Sequence, residues 1–512
     1  MSDRVAQGRA RNPSETNVLE RLAQLGLLDR AAQFGPSLSA PITGLAVDSR
    51  KVQPGNLFAA LPGSTVHGVE FVPYAIRMGA AVVLTDGAGM AWLEAEGLSD
   101  SIPVLVSHDP RKALAHAAAH WFNAQPETMV AVTGTNGKTS VTTFLRQIWV
   151  LTGKTAVNFG TTGVEGSVTR SLAHTTPEPI TLHGVLADLA KEGLTHAAME
   201  ASSHGIDQRR LDGVALKAAA FTHLSRDHLD YHKTMEAYAA AKLRLFDTLL
   251  PERATAVVNV DDPVAFSAGE AALARGCRVL EVGRSARDLQ LISTEFTARG
   301  QDVTFAFEGA QHRVSLGLIG GFQAENVLLA AGLALATGTP RAEVFATLPQ
   351  LTGVRGRMEH AATRANGAGI YVDYSHTPDS LETALKALRP HVAGRLAVVF
   401  GAGGDRDPGK RPLMGKAAAD YADVVIVTDD NPRSEPPAAI RKAVMAGCPE
   451  ATEIGDRAEA ILAGVDLLGP NDVLLIAGKG HETGQIVGQE ILPFDDAEQA
   501  RVSVAALDGA SV

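Results

Sequence analysis

The chain has 512 residues, 45% of them apolar, with 57 acidic against 46 basic side chains and a formal net charge of −11. That balance excludes a broad nucleic-acid footprint and a polybasic membrane patch, while leaving room for a small, locally positive site. At roughly 150 residues per domain the length points to about three domains, each large enough to bury a core.

The opening stretch "MSDRVAQGRARNPSETN" is polar and has no apolar h-region. The two cysteines, Cys277 and Cys448, are too far apart for a C-x-x-C pair. A disulfide framework or cysteine-based zinc site is therefore not expected, and a reducing cytoplasm is. No apolar run approaches the ~20 residues that span a bilayer.

Short β-rich runs alternate with Gly/Asp/Ser turns and helical segments, the rhythm of an α/β protein with mostly parallel sheets. Strands are expected at 80–86, 129–134, 196–202, 218–224, 255–261, 395–401, 423–430 and 472–478. Residues 1–127 form a first block, closed by the helix "RKALAHAAAHWFNAQP", with Pro126 breaking the chain. A central, P-loop-type block covers 128–354. Its stretch "LQLISTEFTARGQDVTFAFEGAQHRVSLGL" reads as antiparallel hairpins, and a helix follows near Gln323. The block 355–512 is Rossmann-like, with three strong strands that each run into a motif-like turn.

"VTGTNGKTS", Val132 to Ser140, is nearly a G-x-x-x-x-G-K-[ST] phosphate loop, but Val132 stands where the first glycine belongs. A strand precedes it. The following helix gathers Val141, Phe144, Leu145, Ile148 and Trp149 on one face, with Gly153 as its stop. In that context the backbone N–H groups of Gly134, Thr135, Asn136, Gly137 and Ser140 can cradle phosphates. Lys138 can reach the terminal ones, and Thr139 can meet Mg²⁺.

Glu200 ends a strand, and "THLSRDHLDYH" brings His223, Asp227, His228 and His232. The i, i+4 histidines allow a zinc reading, but the segment lacks the glutamate of H-E-x-x-H. Mg²⁺ held by Thr139, Glu200 and His228 fits a nucleotide site better. In the helix "TMEAYAAAKLRLF", Thr234 is a cap and Glu236 suits the first turn. Met235, Tyr238, Ala239 and Phe246 make an apolar stripe, with Lys242 on or beside it. Its residues alone favour a snorkelling lysine over a desolvated amine of lowered pKa.

The shortened loop T-G-T-N-G-K-T resembles that of the Mur ligase and folylpolyglutamate synthetase superfamily, whose members form amide bonds with ATP. The resemblance reverses the expectation for Lys242: in Mur ligases the matching lysine is a carbamate that supports a second Mg²⁺. "VDSRKVQPGNLFAALPG" looks like the family domain that holds the UDP portion of a UDP-muramoyl-peptide. It implies contacts at Val47 and Ser49, with Ser64, Thr65 and Val66 toward the diphosphate. "HTTPEP" is similar to the muramoyl-peptide motif, implying Thr175 and Thr176, with Ser202, Gln208 and Arg210 from the segment after Glu200. "GGFQAENVLLAAG", "GVRGRME" and "VDYSHTPDS" match adenine-side and hinge motifs through Asn326, Arg357, Asp373 and His376.

The last block would hold the acceptor. "FGAGGDRDPGKRPLMG" fails as a dinucleotide loop, since Arg406 stands where the last glycine belongs. "DDNPRSE" and "GKGHE" each follow a strand. D-N-P-R resembles the family's mark of meso-diaminopimelate selectivity, implying contacts at Arg406, Asp430, Asn431, Pro432, Arg433, Gly478 and Glu482. Physically, Arg433 can grip a distal carboxylate through two parallel hydrogen bonds, or can simply be a loop ion pair. Lysine lacks that carboxylate and would leave the guanidinium unmatched.

The resemblance thus implies ATP and Mg²⁺ as cofactors, and UDP-N-acetylmuramoyl-L-alanyl-D-glutamate and meso-2,6-diaminopimelate as partners. Lys138, Lys242 and His228 take the catalytic roles in a cytoplasmic monomer that makes peptidoglycan precursor through an acyl phosphate. Three alternatives stand beside it: a lysine-adding relative, a folylpolyglutamate synthetase-like ligase, and a nucleotide switch that makes no amide.

Overall fold

In a computed structural model of the chain the described residues are 18–29, 33–34, 41–63, 65–172, 174–297 and 300–509. Ser64 lies outside them. They divide into two compact units, one drawn from Met1–Glu281 and Leu329–Arg341, the other from Val282–Leu328 and Ala342–Val512.

The first unit holds two sheets. In the smaller one the strands lie in the order Gln33–Phe34, Val104–Val106, Val82–Thr85, Asn56–Ala59 and Gly44–Ala46; only the first is antiparallel to its neighbour. Apolar side chains cover both its faces, as a parallel sheet requires. The helix Pro110–Phe122 packs Ala113, Leu114 and Ala117 onto one face. Asp109 caps it by accepting from Lys112 N, proline takes its first turn, and Asn123 closes it at φ 43°. The chain therefore leaves the helix three residues before Pro126.

The larger sheet carries the phosphate loop. Six strands of this unit run in the order Thr255–Asn259, Leu216–Phe221, Thr128–Thr133, His196–Glu200, Ala156–Gly160 and Gly163–Gly166, parallel except for the last pair. Register pairs Phe221 with Thr133 and Val132 with Glu200, so three strands end along one edge. Open α/β sheets bind their ligands at that edge. The helix Lys138–Leu151 buries Val141, Phe144, Leu145, Ile148 and Trp149 completely, the face expected from their spacing. Gly153 follows at φ 79°.

In the second unit Leu289–Thr297, Gly300–Phe307 and Ala310–Leu316 form the expected antiparallel meander. A second sheet has the order Glu359–Thr363, Gly369–Asp373, Val473–Ala477, Leu396–Phe400, Val424–Val427 and Thr452–Glu453, with only its first strand antiparallel. Separate apolar clusters cover its two faces. The hairpin Gly484–Val487/Glu490–Pro493 stands apart from it.

All eight expected strands are present, but several stop early. The run expected over 423–430 ends at Val427, and that over 129–134 ends at Thr133. Past Thr133 the chain turns at Gly134, φ 138°; past Val427, Thr428 N still reaches Phe400 O before Asn431 N is captured by the Asp430 side chain. Strands at 156–160 and 369–373 went unexpected, because polar Asn158 and the terminal glycines and aspartate dilute their apolar pattern. No helix among the described residues is long and apolar enough to cross a membrane.

Candidate active site

The phosphate loop is built by close backbone approach. A Cβ on Gly134 would lie 1.8 Å from Thr222 Oγ1, and Gly137 starts the helix at φ 86°. Both positions require glycine. Thr222 Oγ1 donates to Asn136 O at 2.6 Å, and Thr135 N donates to His223 O at 2.8 Å, locking the loop to the neighbouring strand end. Lys138 Nζ folds back onto Gly134 O and Thr135 O, at 3.0 and 2.7 Å. Ser140 and Thr139 are buried at the start of the helix, while Asn136 is exposed.

Thr139 Oγ1 donates to Glu200 Oε1 at 3.0 Å. The same carboxylate accepts from Thr161 N at 3.0 Å and from Thr161 Oγ1 at 3.1 Å. It occupies the space where a Cβ on Gly160 would be, 2.2 Å from Oε1. A hydroxyl and a carboxylate oxygen that meet beside a phosphate loop are hard donors that suit Mg²⁺, which keeps several waters and phosphate oxygens besides. No cluster of three or more His, Cys, Asp or Glu side chains able to hold a metal occurs among the described residues. His228 lies at φ 52° with Nε2 3.5 Å from Asp227 Oδ2, and its ring meets His204 edge-on at 5.0 Å.

Lys242 does not snorkel, contrary to what its own helix alone suggests. Its residue is 1% exposed, Nζ donates to Gly134 O at 2.7 Å, and the amine lies 4.6 Å from the centre of the Tyr238 ring. Burial, aided by the nearby Lys138 charge, holds its pKa well below the usual lysine value. The helix Met235–Arg244 makes this possible: Thr234 caps it, and Tyr238 and Lys242 are one turn apart on its inner face. Tyr238 OH also meets Thr135 Oγ1 at 3.2 Å, tying that face to the loop.

The polar residues expected for the muramoyl-peptide form one connected network. Thr176 Oγ1 donates to Glu200 O at 3.0 Å and accepts from Ser202 N at 3.1 Å. Arg210 donates to Thr176 O at 2.6 Å and to Gln208 Oε1 at 2.7 Å. Thr175 and Thr161 hydroxyls meet at 3.2 Å, which joins this network to Glu200. His174 is exposed. Val47 and Ser49 lie at the turn after Gly44–Ala46, where Asp48 accepts from Arg50 N, and Thr65 and Val66 are exposed.

In the second unit, Arg357 stacks on the Tyr374 ring at 4.6 Å, and Asp373 accepts from Met358 N at 2.7 Å and from Ser375 Oγ. Burial pushes the Asp373 carboxyl up, against those hydrogen bonds. His376 packs on Tyr374, and its carbonyl accepts from Lys410. Asn326 is buried, and its Nδ2 donates to Gln323 Oε1 at 3.2 Å.

The residues expected for the acceptor lie together. Asn431 Nδ2 donates to Glu482 Oε2 at 2.9 Å. A Cβ on Gly478 would lie 2.6 Å from Asp430 Oδ2. Pro432 is buried, and Arg433 adopts φ 52° with Nη1 on Gly404 O at 2.8 Å. Arg433 forms no ion pair among the described residues, so the loop-ion-pair reading of this side chain finds no support. Arg406 is exposed, next to the same Gly403–Gly404 turn.

Several residues here escaped the sequence reading. Lys479 is fully buried, with Nζ on Asn431 Oδ1 at 3.0 Å; its place in "GKGHE" was the available signal. Thr161 and Gln485 carry no motif, and Gln485 donates to Asp430 O at 2.7 Å. Arg457 is buried and donates to Asp429 O and Ala477 O.

Comparison with known proteins adds to this geometry. The Mur ligase family catalytic domain matches residues 41–122, the Mur ligase middle domain 132–334, and the Mur ligase glutamate ligase domain 356–480. A UDP-N-acetylmuramoyl-L-alanyl-D-glutamate–2,6-diaminopimelate ligase of Agrobacterium fabrum is 51% identical over 92% of this chain and 95% of its own. The protein of that name from Caulobacter vibrioides is 50% identical over 91% of this chain and 96% of its own. A solved structure of such a ligase is 34% identical, covers 92% of this chain and 97% of its own, and superposes with a TM-score of 0.68.

Proposed function

Because the chain belongs to the Mur ligase family, we propose that it joins meso-2,6-diaminopimelate to UDP-N-acetylmuramoyl-L-alanyl-D-glutamate at the expense of ATP, in peptidoglycan precursor synthesis. The observation that carries this reading is the meeting, at one sheet edge, of the phosphate loop with Glu200 on Thr139 and buried Lys242 on Gly134.

The γ-carboxylate of the substrate's D-glutamate attacks the γ-phosphorus of ATP, the bond to the β–γ bridging oxygen breaks and ADP leaves, and the carboxylate becomes an acyl phosphate. The diaminopimelate amine then attacks the acyl carbon, and phosphate leaves with one of the original carboxylate oxygens. Phosphate is the leaving group that hydroxide cannot be. The protein's task is to align these groups and offset their charge. Gly134 to Ser140 hold the phosphates, and Lys138 exchanges its carbonyl partners for phosphate oxygens. Thr139, Glu200 and His228 would hold Mg²⁺, which would supply positive charge beside the phosphates. Lys242, as a carbamate, would offer a further anionic metal ligand. Asn326, Arg357, Asp373 and His376 serve the adenine side.

Val47, Ser49, Ser64, Thr65 and Val66 hold the UDP part in this reading. Thr175, Thr176, Ser202, Gln208 and Arg210 hold the muramoyl-peptide. Arg433 grips the distal carboxylate of diaminopimelate, with Arg406, Asp430, Asn431, Pro432, Gly478 and Glu482 around the rest of it. The reading takes the protein as a cytoplasmic monomer of three domains, 1–127, 128–354 and 355–512.

The test is phosphate release with the UDP-muramoyl-dipeptide labelled with oxygen-18 in its glutamate carboxylate. Release that needs both substrates, with label in the phosphate and a tripeptide product mass, is expected. Release indifferent to both substrates would instead mark a nucleotide switch.

A further inference from the structure

Arg457 opens the helix Arg457–Asp466, outside every motif discussed above, and its side chain is 0% exposed. Nε and Nη2 grip the equally buried carboxylate of Asp496, both at 2.7 Å. The remaining donors reach main chain: Nη1 to Asp429 O at 3.2 Å and Nη2 to Ala477 O at 3.0 Å.

Those two carbonyls belong to the residues just before Asp430-Asn431-Pro432-Arg433 and just before Gly478-Lys479. The strands that lead into them, Val424–Val427 and Val473–Ala477, are not neighbours; Leu396–Phe400 lies between them. Ladder hydrogen bonds therefore never join the two acceptor segments directly. Adjacent strands are ~4.8 Å apart, so the gap is about twice that, and the planar guanidinium, with five fixed donors, bridges it. Its charge also acts on Asp430 and Glu482.

We propose that Arg457 is a positioning residue of the acceptor site, fixing Asp430 and Asn431 against Gly478 and Glu482 so that the pocket is formed before the amino acid arrives. Asp496 orients the guanidinium and offsets its charge, leaving two N–H groups for the loops. The inference rests on the acceptor role proposed above for those loops.

A core-filling role and a positioning role separate in the double variant Arg457→Met/Asp496→Leu. Replacing a buried pair with apolar side chains of similar volume commonly preserves folding, but no methionine can hold two carbonyls. With the melting temperature kept, KM for diaminopimelate should rise about 10- to 100-fold, since a small misplacement is costly. KM for ATP and for the UDP-substrate should stay at the wild-type values, and the preference for diaminopimelate over lysine should fall. A well-folded double variant with wild-type KM for diaminopimelate would overturn the proposal. Should that variant fail to fold, Arg457→Lys decides: its single ammonium keeps the charge but not the bridge, so an unchanged KM would overturn the proposal equally. Wild-type protein that ignores diaminopimelate altogether would sink the acceptor reading itself, a distinct result.

Discussion

Lys242 Nζ donates to the carbonyl oxygen of Gly134 at 2.7 Å, fastening a buried amine to the first glycine of the phosphate loop. Burial lowers the amine's pKa, and only a neutral amine adds CO₂ to give a carbamate and a proton. Activity should fall in CO₂-depleted buffer and return, with saturation, on adding bicarbonate. Lys242→Met should lose about 100- to 1,000-fold in kcat, the scale of one charge-stabilising group, and should not respond to bicarbonate. Carbon-13 bicarbonate should label the wild-type protein and not the variant. A wild-type rate indifferent to CO₂ would refute the carbamate.

Glu200 offers a separable test, because Gly160 makes the room for its carboxylate. A Cβ there would lie 2.2 Å from Oε1, so Gly160→Ala should displace the carboxylate from Thr139 without touching nucleotide. Glu200→Gln removes the charge and keeps the shape. Both should raise the Mg²⁺ concentration for half-maximal activity about 10-fold or more, in line with metal-site ligand defects. Excess Mg²⁺ should restore much of the rate. A Mg²⁺ titration curve identical to wild type would remove Glu200 from the metal site.

The sheets and the phosphate helix were legible because their signals are local. Val141, Phe144, Leu145, Ile148 and Trp149 repeat at helical spacing, and all five are buried as that spacing implies. Lys242 was not legible from its own helix, where it lies beside an apolar stripe like any snorkelling lysine. The carbonyl that its buried amine meets, Gly134 O, is 108 residues away in sequence. Arg457 and Lys479 failed for the same reason: a charged residue in a helix or a Gly-flanked turn gives no local sign that its partners come from distant strand ends. The early end of the strand at Thr133 coincides with the φ of 138° at Gly134, which composition does not mark.

Arg433 should decide acceptor choice. Its backbone is held at φ 52°, a left-handed conformation that costs a non-glycine residue about 1 kcal/mol or more. Main-chain bonds from Arg433 N to Ile486 O and from Gly488 N to Arg433 O hold it there. Arg433→Ala should cut the ratio of kcat/KM for diaminopimelate over lysine by about 100-fold or more, because sites built around a polar group discriminate strongly. KM for ATP should be unchanged. Competition between the two amino acids, read by product mass, checks this; an undiminished preference would move the recognition elsewhere.

His183 predicts the acid limit of the phosphate-loop unit. It lies in the helix Pro179–Lys191, 3% exposed, and its Nε2–H meets Asp212 O at 3.2 Å. Burial depresses its pKa to about 4; the carbonyl opposes this shift, and nearby His116 adds to it. The unfolded chain, with a histidine pKa near 6.5, binds the proton first as pH falls, so protonation favours unfolding. The stability of the neutral imidazole is therefore fully present above about pH 6.5, and it is lost as pH falls toward 4. Between pH 7 and pH 5 that loss is on the order of 2 kcal/mol. His183→Gln keeps a side-chain N–H for Asp212 O and has no such proton to take up. Urea unfolding followed by the fluorescence of buried Trp149 should show a smaller drop in stability between those two pH values for the variant. Equal drops in the two proteins would mean that another buried group sets the acid limit.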